Sequence, residues 1–405
     1  MYSQMKVLFL TLVEIHSIDE RGIYQDLLRK FRDEGHDVTI VTPIERRRRI
    51  PTRIESKNGV TILKVKTFNI QKTNVVEKAI GTLAIEHQYI WAIKKHLSNI
   101  RFDLILYSTP PITFASVVDF VRKRDKARTY LLLKDIFPQN AVDMDMIKEG
   151  SIIHRYFLRK EKTLYQISDT IGCMSPANLD YVLRHNPEIV PEKLEVNPNT
   201  IEPISFMYSA DEKNEIRGKY SIPEDKKVLV YGGNLGKPQG LDFLMETITA
   251  TEDDKIFFLV VGNGTEFSKI KQWFDINEPV NARLLQRLPK DDYDRLLAAC
   301  DVGLIFLDKK FLIPNFPSRL LSYLEMAKPV IAATDPNTDI GDIIEQARCG
   351  YKVLAGDQIA MQTAIYRLLY VDDLQEMAEN AVKLLRAEYL VEKSYRLIKR
   401  RCGNV

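Results

Sequence analysis

The chain has 405 residues, of which 45% are hydrophobic and 28% are charged. This length exceeds what one hydrophobic core usually serves, so it predicts two domains, and the composition excludes an intrinsically disordered chain. The formal net charge of +3 is too small to indicate a nucleic-acid partner by itself.

The first half of the sequence alternates apolar, strand-like runs with segments of helical spacing. Gly35 stands where the first helix should stop. This alternation predicts a parallel α/β domain over residues 1–200. The predicted strands are 5–12, 37–42, 101–108 and 128–135, and the predicted helices are 22–34, 112–124 and 153–168.

The same alternation restarts after a segment rich in Pro and Asn at residues 197–206, which predicts an interdomain linker. A second α/β domain is predicted over 205–371, followed by helices over 372–405 that pack back towards the first domain. Ligands of such sheets bind outside the carboxyl ends of the strands, so we expect an active site in a cleft between the domains. The strands predicted for the second domain are 226–233, 255–264, 282–288 and 300–307.

Glycine-rich turns follow two of these strands. Residues 231–240 (YGGNLGKPQG) lie between a predicted strand and a predicted helix, and their glycines permit close approach of a phosphate to a positive helix end. The turn at 262–264 is also followed by a helix and should lie at the same sheet edge. Neither turn matches a dinucleotide or ATP loop, and tight turns without a ligand remain the alternative.

The third feature is Arg319, which follows a predicted helix N-cap at Ser318. A cation in the first helical turn opposes the helix dipole, so its presence is easier to explain if an anion binds nearby. A diphosphate is the candidate anion, and an arginine that turns into solvent is the alternative.

These motifs occur together with 134–139 (KDIFPQ), Pro198-Asn199 and 328–332 (KPVIA). In this order and spacing they resemble the retaining glycosyltransferases of family four, and among these the bacterial N-acetylfucosamine-type transferases of capsule and O-antigen synthesis. The resemblance implies the GT-B fold, in which two Rossmann-like domains face each other across a cleft. It also implies a UDP-sugar as substrate, an N-acetylated hexosamine or deoxyhexosamine as the transferred group, and a lipid-linked or polysaccharide acceptor.

The same resemblance assigns roles to individual residues. Asp135 and Arg319 are the expected catalytic residues, and the loop at Gly22 is expected on the acceptor side. The donor-binding residues that the resemblance implies are Gly233, Asn234, Gly236, Gly262, Asn263 and Leu288. From their own positions in the sequence we add His16, in the first strand-to-helix loop, as an acceptor-side candidate, and Lys237, Ser318, Ser322 and Glu325 as donor-binding candidates.

The chain also departs from the family pattern. Ser322 stands where relatives carry a ribose-binding Glu, and Pro314 stands at the preceding acidic position. Glu325, three residues after Ser322, is a candidate replacement for the lost carboxylate, and a structural Glu is the alternative. The lost carboxylates leave a non-catalytic sugar-nucleotide-binding partner subunit as one rival function. A sugar-nucleotide epimerase is the other, because the same two-domain architecture hosts that chemistry.

The segment 44–57 (IERRRRIPTRIESK) is strongly basic and indicates attraction to anionic lipid or a lipid-pyrophosphate acceptor; a solvated loop is the alternative. Exposed aromatic residues near Tyr89, Ile90 and Trp91 would favour membrane contact. The sequence does not open with a signal-like segment, and the four cysteines lie far apart. We therefore expect a cytoplasmic protein, peripheral on the inner membrane face. The six histidines show no metal-binding spacing, so we expect neither metal nor cofactor.

Overall fold

The computed structural model describes residues 4–69, 75–204 and 208–403. The elements of the first half are β1 (Lys6–Leu10), α1 (Ile23–Asp33), β2 (Asp37–Glu45), β3 (Arg53–Lys57), β4 (Val60–Thr67), α2 (Val75–His96), β5 (Leu104–Ser108), α3 (Ala115–Asp125), β6 (Arg128–Leu133), α4 (Gln139–Asp143), α5 (Ile152–Ile167), β7 (Thr170–Cys173), α6 (Pro176–His185) and β8 (Leu194–Val196).

The elements of the second half are α7 (Ala210–Lys219), β9 (Lys227–Asn234), α8 (Leu241–Ala250), β10 (Ile256–Asn263), α9 (Phe267–Asn277), β11 (Ala282–Gln286), α10 (Lys290–Ala298), β12 (Val302–Phe306), α11 (Arg319–Glu325), β13 (Val330–Thr334), α12 (Ile340–Gln346), β14 (Gly350–Leu354), α13 (Gln358–Tyr370), α14 (Leu374–Glu388) and α15 (Val391–Cys402).

Two separate sheets organise these elements. The first has the strand order β3-β4-β2-β1-β5-β6-β7-β8, and the second has the order β11-β10-β9-β12-β13-β14. The pairing is parallel except between β3 and β4. The central strands are mostly apolar because helices cover both faces of a parallel sheet, as in β5, whose five residues are all buried and of which only Ser108 is polar. The predicted α/β fold is confirmed.

The chain divides into two compact units, each with its own sheet. The first comprises the described residues up to Ile201 together with those from Val391 onward, and the second runs from Glu202 to Leu390. Residues 205 and 206, which fall in the predicted linker and at the predicted start of the second domain, lie outside the described residues. None of the helices that the structure describes combines the length and apolar character needed to cross a membrane.

The predicted C-terminal segment 372–405 does not behave as one piece. Helix α14 belongs to the second unit, where it packs on α11, and only α15 joins the first unit, where it packs on α1. Tyr395 of α15 explains this packing, because its ring meets Phe31 edge-on at 4.9 Å and its hydroxyl lies 2.9 Å from His36 Nε2. The boundary predicted at residue 371 therefore moves to residue 390.

Candidate functional site

The glycine turns lie side by side at the carboxyl edge of the second sheet, as the sequence predicts. In the β9–β10 pairing, Gly262 stands opposite Gly233, and Asn263 stands opposite Asn234. Gly233 has a φ of 129°, which side chains disfavour. A Cβ on Gly262 would lie 2.0 Å from the carbonyl oxygen of Gly233. Both glycines are therefore required by the close approach of the two strand ends.

Arg319 brings a guanidinium group to this edge. Its Cζ lies 4.2 Å from the ring centre of Tyr231, and its Nη2 donates a 2.6 Å hydrogen bond to Oε1 of Gln239. A Cβ on Gly233 would be 3.7 Å from the same Cζ. The Nη1 atom is buried and has no hydrogen-bond partner among the described residues. A buried donor on a charged group that lacks an acceptor costs about 1–3 kcal/mol, so an anion bound here would relieve an existing penalty.

Tyrosines fix the backbone around this guanidinium. The Tyr323 hydroxyl accepts a 3.2 Å hydrogen bond from the amide of Gly232 and lies 3.0 Å from the carbonyl oxygen of Leu304. Burial raises the pKa of Tyr323 to about 12, so the hydroxyl stays neutral. The Tyr293 hydroxyl fills the space that a side chain at Gly232 would occupy. The sequence offered little signal for these tyrosines, because their contacts with the turn join distant segments.

The other predicted donor residues lie on the same elements. Asn234, Lys237 and Asn263 are exposed, and Leu288, which follows β11, is half-buried. Gly236 is buried at the start of the short 3-10 helix that precedes α8. These positions leave the donor-binding assignments as predictions.

Two predictions on α11 have different outcomes. Ser318 occupies the N-cap position, as the sequence predicts, although its side chain makes no capping hydrogen bond, and its donor-binding role stays a prediction. Glu325 is buried, and its Oε1 accepts a 2.7 Å hydrogen bond from the backbone amide of Ile204. Because this carboxylate anchors the start of the second unit, we do not carry it forward as a substitute for the ribose-binding Glu. Ser322, at the position of the expected ribose-binding Glu, is half-buried on the same helix and supplies a hydroxyl group where a carboxylate was expected.

A carboxylate also lies at the carboxyl edge of the first sheet. Asp135 follows β6, and its Oδ2 accepts a 2.6 Å hydrogen bond from Nδ2 of Asn140. Its backbone is held by Thr109, whose Oγ1 accepts from the Asp135 amide at 3.1 Å and donates to the Asp135 carbonyl at 2.9 Å. Burial raises the pKa of Asp135 to about 6 and lowers that of neighbouring Lys134 to about 7. Both groups therefore change charge near neutral pH.

The predicted acceptor-side residues have ordinary surroundings. His16 is exposed, and its Nε2 lies 3.7 Å from a carboxylate oxygen of Glu14. Gly22 precedes α1 with a φ of 171°, an extended conformation that any residue adopts. An acceptor-side role for these two residues stays a prediction.

Most of the consecutive arginines in the basic segment are paired with glutamates. Arg46 lies 2.6 Å from Glu77, Arg48 lies 2.7 Å from Glu14, and Arg47 contacts Glu45. These ion pairs offset the positive charge that the sequence emphasises.

The aromatic residues near this segment differ in their exposure to solvent. Trp91 is 56% exposed, whereas Tyr89 is fully buried and its hydroxyl donates to the carbonyl of Thr11 at 2.8 Å. Of the two aromatic side chains expected to be exposed here, only Trp91 is exposed, and the aliphatic Ile90 beside it is half-buried. Over the part of the chain that the structure describes, no three His, Cys, Asp or Glu side chains form a group able to hold a metal ion.

Comparison with known proteins relates most of the second unit to a family of glycosyltransferases. Residues 212–384 match the family model described as glycosyl transferases group 1. The probable glycosyltransferase WbjE of Pseudomonas aeruginosa is 24% identical over 298 residues, which is 72% of each chain. The putative colanic acid biosynthesis glycosyl transferase WcaI of Escherichia coli K12 is 22% identical over 250 residues, 60% of each chain.

Solved structures share the fold of the whole chain. HepE of Anabaena, in complex with UDP, superposes with a TM-score of 0.72 at 14% identity, over 99% of this chain and 100% of that one. Sucrose-phosphate synthase of Thermosynechococcus elongatus gives a TM-score of 0.75 at 14% identity, over 98% of both chains. The fold is that of the GT-B glycosyltransferases, and residues 212–384 are similar to the group 1 glycosyltransferases. The likeness to N-acetylfucosamine-type transferases in particular stays a prediction.

Proposed function

We propose that this protein is a glycosyltransferase of glycan biosynthesis that transfers a sugar from a UDP-sugar to a lipid-linked or polysaccharide acceptor. The observation that carries the proposal is Nη1 of Arg319, a buried cationic donor without a partner in the described chain, beside the glycine turn that ends β9. A diphosphate supplies the oxygen acceptors that this donor lacks. The group 1 family model and the fold shared with HepE, which was crystallised with UDP, support this donor chemistry.

In the proposed reaction, the acceptor hydroxyl attacks the anomeric carbon while the bond from that carbon to the diphosphate oxygen breaks. The electron pair leaves with the diphosphate, and Arg319 stabilises the negative charge that develops there. The hydroxyl proton passes to the departing phosphate oxygen, so the step needs no separate protein base. We propose retention of the anomeric configuration and no metal requirement, with the guanidinium as the electrophilic partner of the leaving group.

Asp135 has a different proposed role, in the first unit. Its pKa of about 6 leaves the carboxylate mostly ionised at cytoplasmic pH, where it accepts hydrogen bonds from hydroxyl groups. The bond from Asn140 fixes the orientation of the carboxylate before any ligand binds. We propose that Asp135 binds a hydroxyl of the acceptor or of the transferred sugar.

The donor is tested by a thermal-shift screen of the full chain with UDP-, GDP-, dTDP- and CMP-sugars. A ligand that binds only the folded state raises its apparent stability, by about 2.7 kcal/mol at a hundred times its dissociation constant. We expect UDP and UDP-N-acetylhexosamines to stabilise the protein and the other nucleotides to have little effect. A preference for another nucleotide, or no stabilisation by any, would contradict the proposed donor.

One observation favours a second candidate, a sugar-nucleotide-binding subunit without transferase activity. Pro314 and Ser322 replace the expected carboxylates, and the carboxylate of Glu325 is committed to Ile204. Release of UDP in the presence of lipid-linked acceptors separates the two candidates, because a binding subunit would be stabilised by UDP-sugar and would release no UDP. Incubation of the protein with UDP-sugar and no acceptor tests the epimerase alternative, because an epimerase would convert the UDP-sugar into its epimer.

A further inference from the structure

The turn between α4 and α5 and the start of α5 expose large apolar side chains. Met146, Ile152 and Ile153 are 68%, 80% and 59% exposed. Single exposed apolar residues are normal on a protein surface, but three within one short segment form a local apolar group. Such a group, when rimmed by polar residues, marks a binding surface.

Exposed cations lie within and after this apolar group in sequence and outnumber the exposed acidic side chains of the same segment, Asp145 and Glu149. Lys148, Arg155 and Arg159 are all exposed, and over the described chain none of the three takes part in an ion pair. Ile152, Arg155 and Arg159 recur at spacings of three and four residues, so they share one face of α5. Apolar and cationic side chains are thus presented together on what we call the Ile152 surface, defined by Met146, Lys148, Ile152, Ile153, Arg155 and Arg159.

Hydrogen bonds hold the backbone that presents this surface. Ser151 caps α5, with its Oγ accepting from the amide of His154 at 3.2 Å. The amide of Gly150, which has a φ of 71°, donates to Nδ1 of the same histidine at 3.1 Å. The exposed side chains therefore extend from a fixed turn, which lowers the entropy lost when they bind a partner.

The Ile152 surface is also joined to Asp135. Helix α4 makes the connection, because Asn140 donates to the carboxylate of Asp135 while the carbonyl oxygen of Ala141 accepts from the amide of Met146 at 2.8 Å. A second link is the edge-on contact of Phe137 and Phe157, whose ring centres are 5.0 Å apart. A partner bound at this surface would lie near the carboxyl edge of the first sheet.

The basic segment at 44–57 makes a useful contrast. Arg46, Arg47 and Arg48 each have a glutamate partner, so their charges are already offset within the protein. The cations of the Ile152 surface have no such partner in the described chain and stand beside exposed apolar side chains. An anionic surface with an apolar interior matches both properties, whereas a soluble acidic ligand matches only the charge.

We propose that the Ile152 surface docks peripherally on an anionic lipid bilayer. Met146, Ile152 and Ile153 enter the boundary between headgroups and acyl chains, and the flanking cations contact the lipid phosphates. The proposal goes beyond the proposed transfer reaction and does not depend on it, because vesicle binding is measured without donor or acceptor. The proposed surface differs from the basic segment 44–57, for which the sequence indicated attraction to anionic lipid.

The test is co-sedimentation of the full chain with vesicles of phosphatidylcholine, with and without phosphatidylglycerol. We expect binding to the anionic vesicles only, and weaker binding as salt is raised. The double variant Arg155→Gln/Arg159→Gln should bind about 30-fold more weakly, since each cation near an anionic surface contributes roughly fivefold. The double variant Ile152→Ser/Ile153→Ser should weaken binding by about tenfold or more, through the lost apolar insertion.

Two matched controls keep the test specific. Val280→Ser/Ile359→Ser removes side chains that are 91% and 82% exposed in the second unit, and Arg46→Gln/Arg48→Gln removes cations that are ion-paired. Both should bind anionic vesicles like the parent chain, and thermal denaturation should show that every variant is folded. Equal binding to neutral vesicles, or loss of binding in the arginine control alone, would overturn the proposal. A self-association that the Ile152→Ser/Ile153→Ser change abolishes while vesicle binding stays intact would overturn it in favour of a second copy.

Discussion

Replacing Arg319 with Gln should separate ligand binding from folding. The side chain now contributes a charged hydrogen bond to Gln239 and a guanidinium–ring contact with Tyr231, together about 2–4 kcal/mol. Against these stands the buried Nη1 without a partner in the described chain, which costs about 1–3 kcal/mol. The two sides nearly cancel, so the free energy of unfolding without ligand should change by no more than about 1–2 kcal/mol.

Ligand binding should respond differently. In the complex, Nη1 gains a phosphate oxygen, and a hydrogen bond between charged groups contributes about 1.5–3 kcal/mol. Loss of that bond corresponds to roughly 10- to 150-fold weaker UDP binding. The turnover number should fall further, by about 100- to 1,000-fold, because the negative charge on the leaving group grows in the transition state.

The assay compares the parent chain, Arg319→Gln and the control Arg283→Gln. Arg283 donates a 3.1 Å hydrogen bond to the carbonyl of Tyr220 and lies on the edge strand β11, so the control loses the same charge without an orphaned donor. Chemical denaturation gives the stability, titration calorimetry gives the affinity for UDP, and UDP release with acceptor gives turnover. If Arg319→Gln binds UDP as tightly as the parent chain, the diphosphate assignment is refuted.

Three further outcomes are expected. Gly262→Ala should destabilise the fold by about 2 kcal/mol or more in urea denaturation, because the new Cβ would lie 2.0 Å from the carbonyl oxygen of Gly233. The control Gly218→Ala should be neutral or stabilising, because Gly218 lies on a helix with open space around it. Burial lowers the pKa of His36, so the stability that this residue contributes is present above the unfolded pKa of about 6.5 and is lost as the pH falls below that value. A series of unfolding measurements at different pH should show that His36→Gln removes this loss of stability. An unchanged pH dependence in the variant would reject the reasoning. Burial raises the pKa of Asp135 to about 6, so ionisation of this carboxyl group lowers the stability of the fold as the pH rises through that value. Asp135→Asn should therefore be more stable than the parent chain at pH about 8, and it should lose transfer activity. Equal activity of the two proteins would contradict the proposed role of Asp135.

Local sequence patterns predicted eight of the fourteen strands that the structure describes, namely β1, β2, β5, β6 and β9 to β12, but they missed β3, β4, β7, β8, β13, β14 and the long helix α2. Short buried strands such as β5 are apolar at every position except the last, Ser108, because helices cover both faces of a parallel sheet, and this pattern can be recognised without a structure. The glycines at 233 and 262 were equally legible, since close backbone approach at a strand end leaves few alternatives. The sequence also located Arg319 correctly at the start of a helix.

Tertiary structure alone decided which partners the polar groups acquired. Gln239, which accepts a hydrogen bond from the guanidinium of Arg319, is 80 residues from it in the chain. The amide of Ile204, which donates to the carboxylate of Glu325, is 121 residues from that residue. The same holds for α15, whose Tyr395 meets His36 across 359 residues and moves the last helix into the first unit. Helical and strand periods report only which face of an element is buried. The partner of a buried charge depends on chain segments that folding brings together, and no local period encodes it.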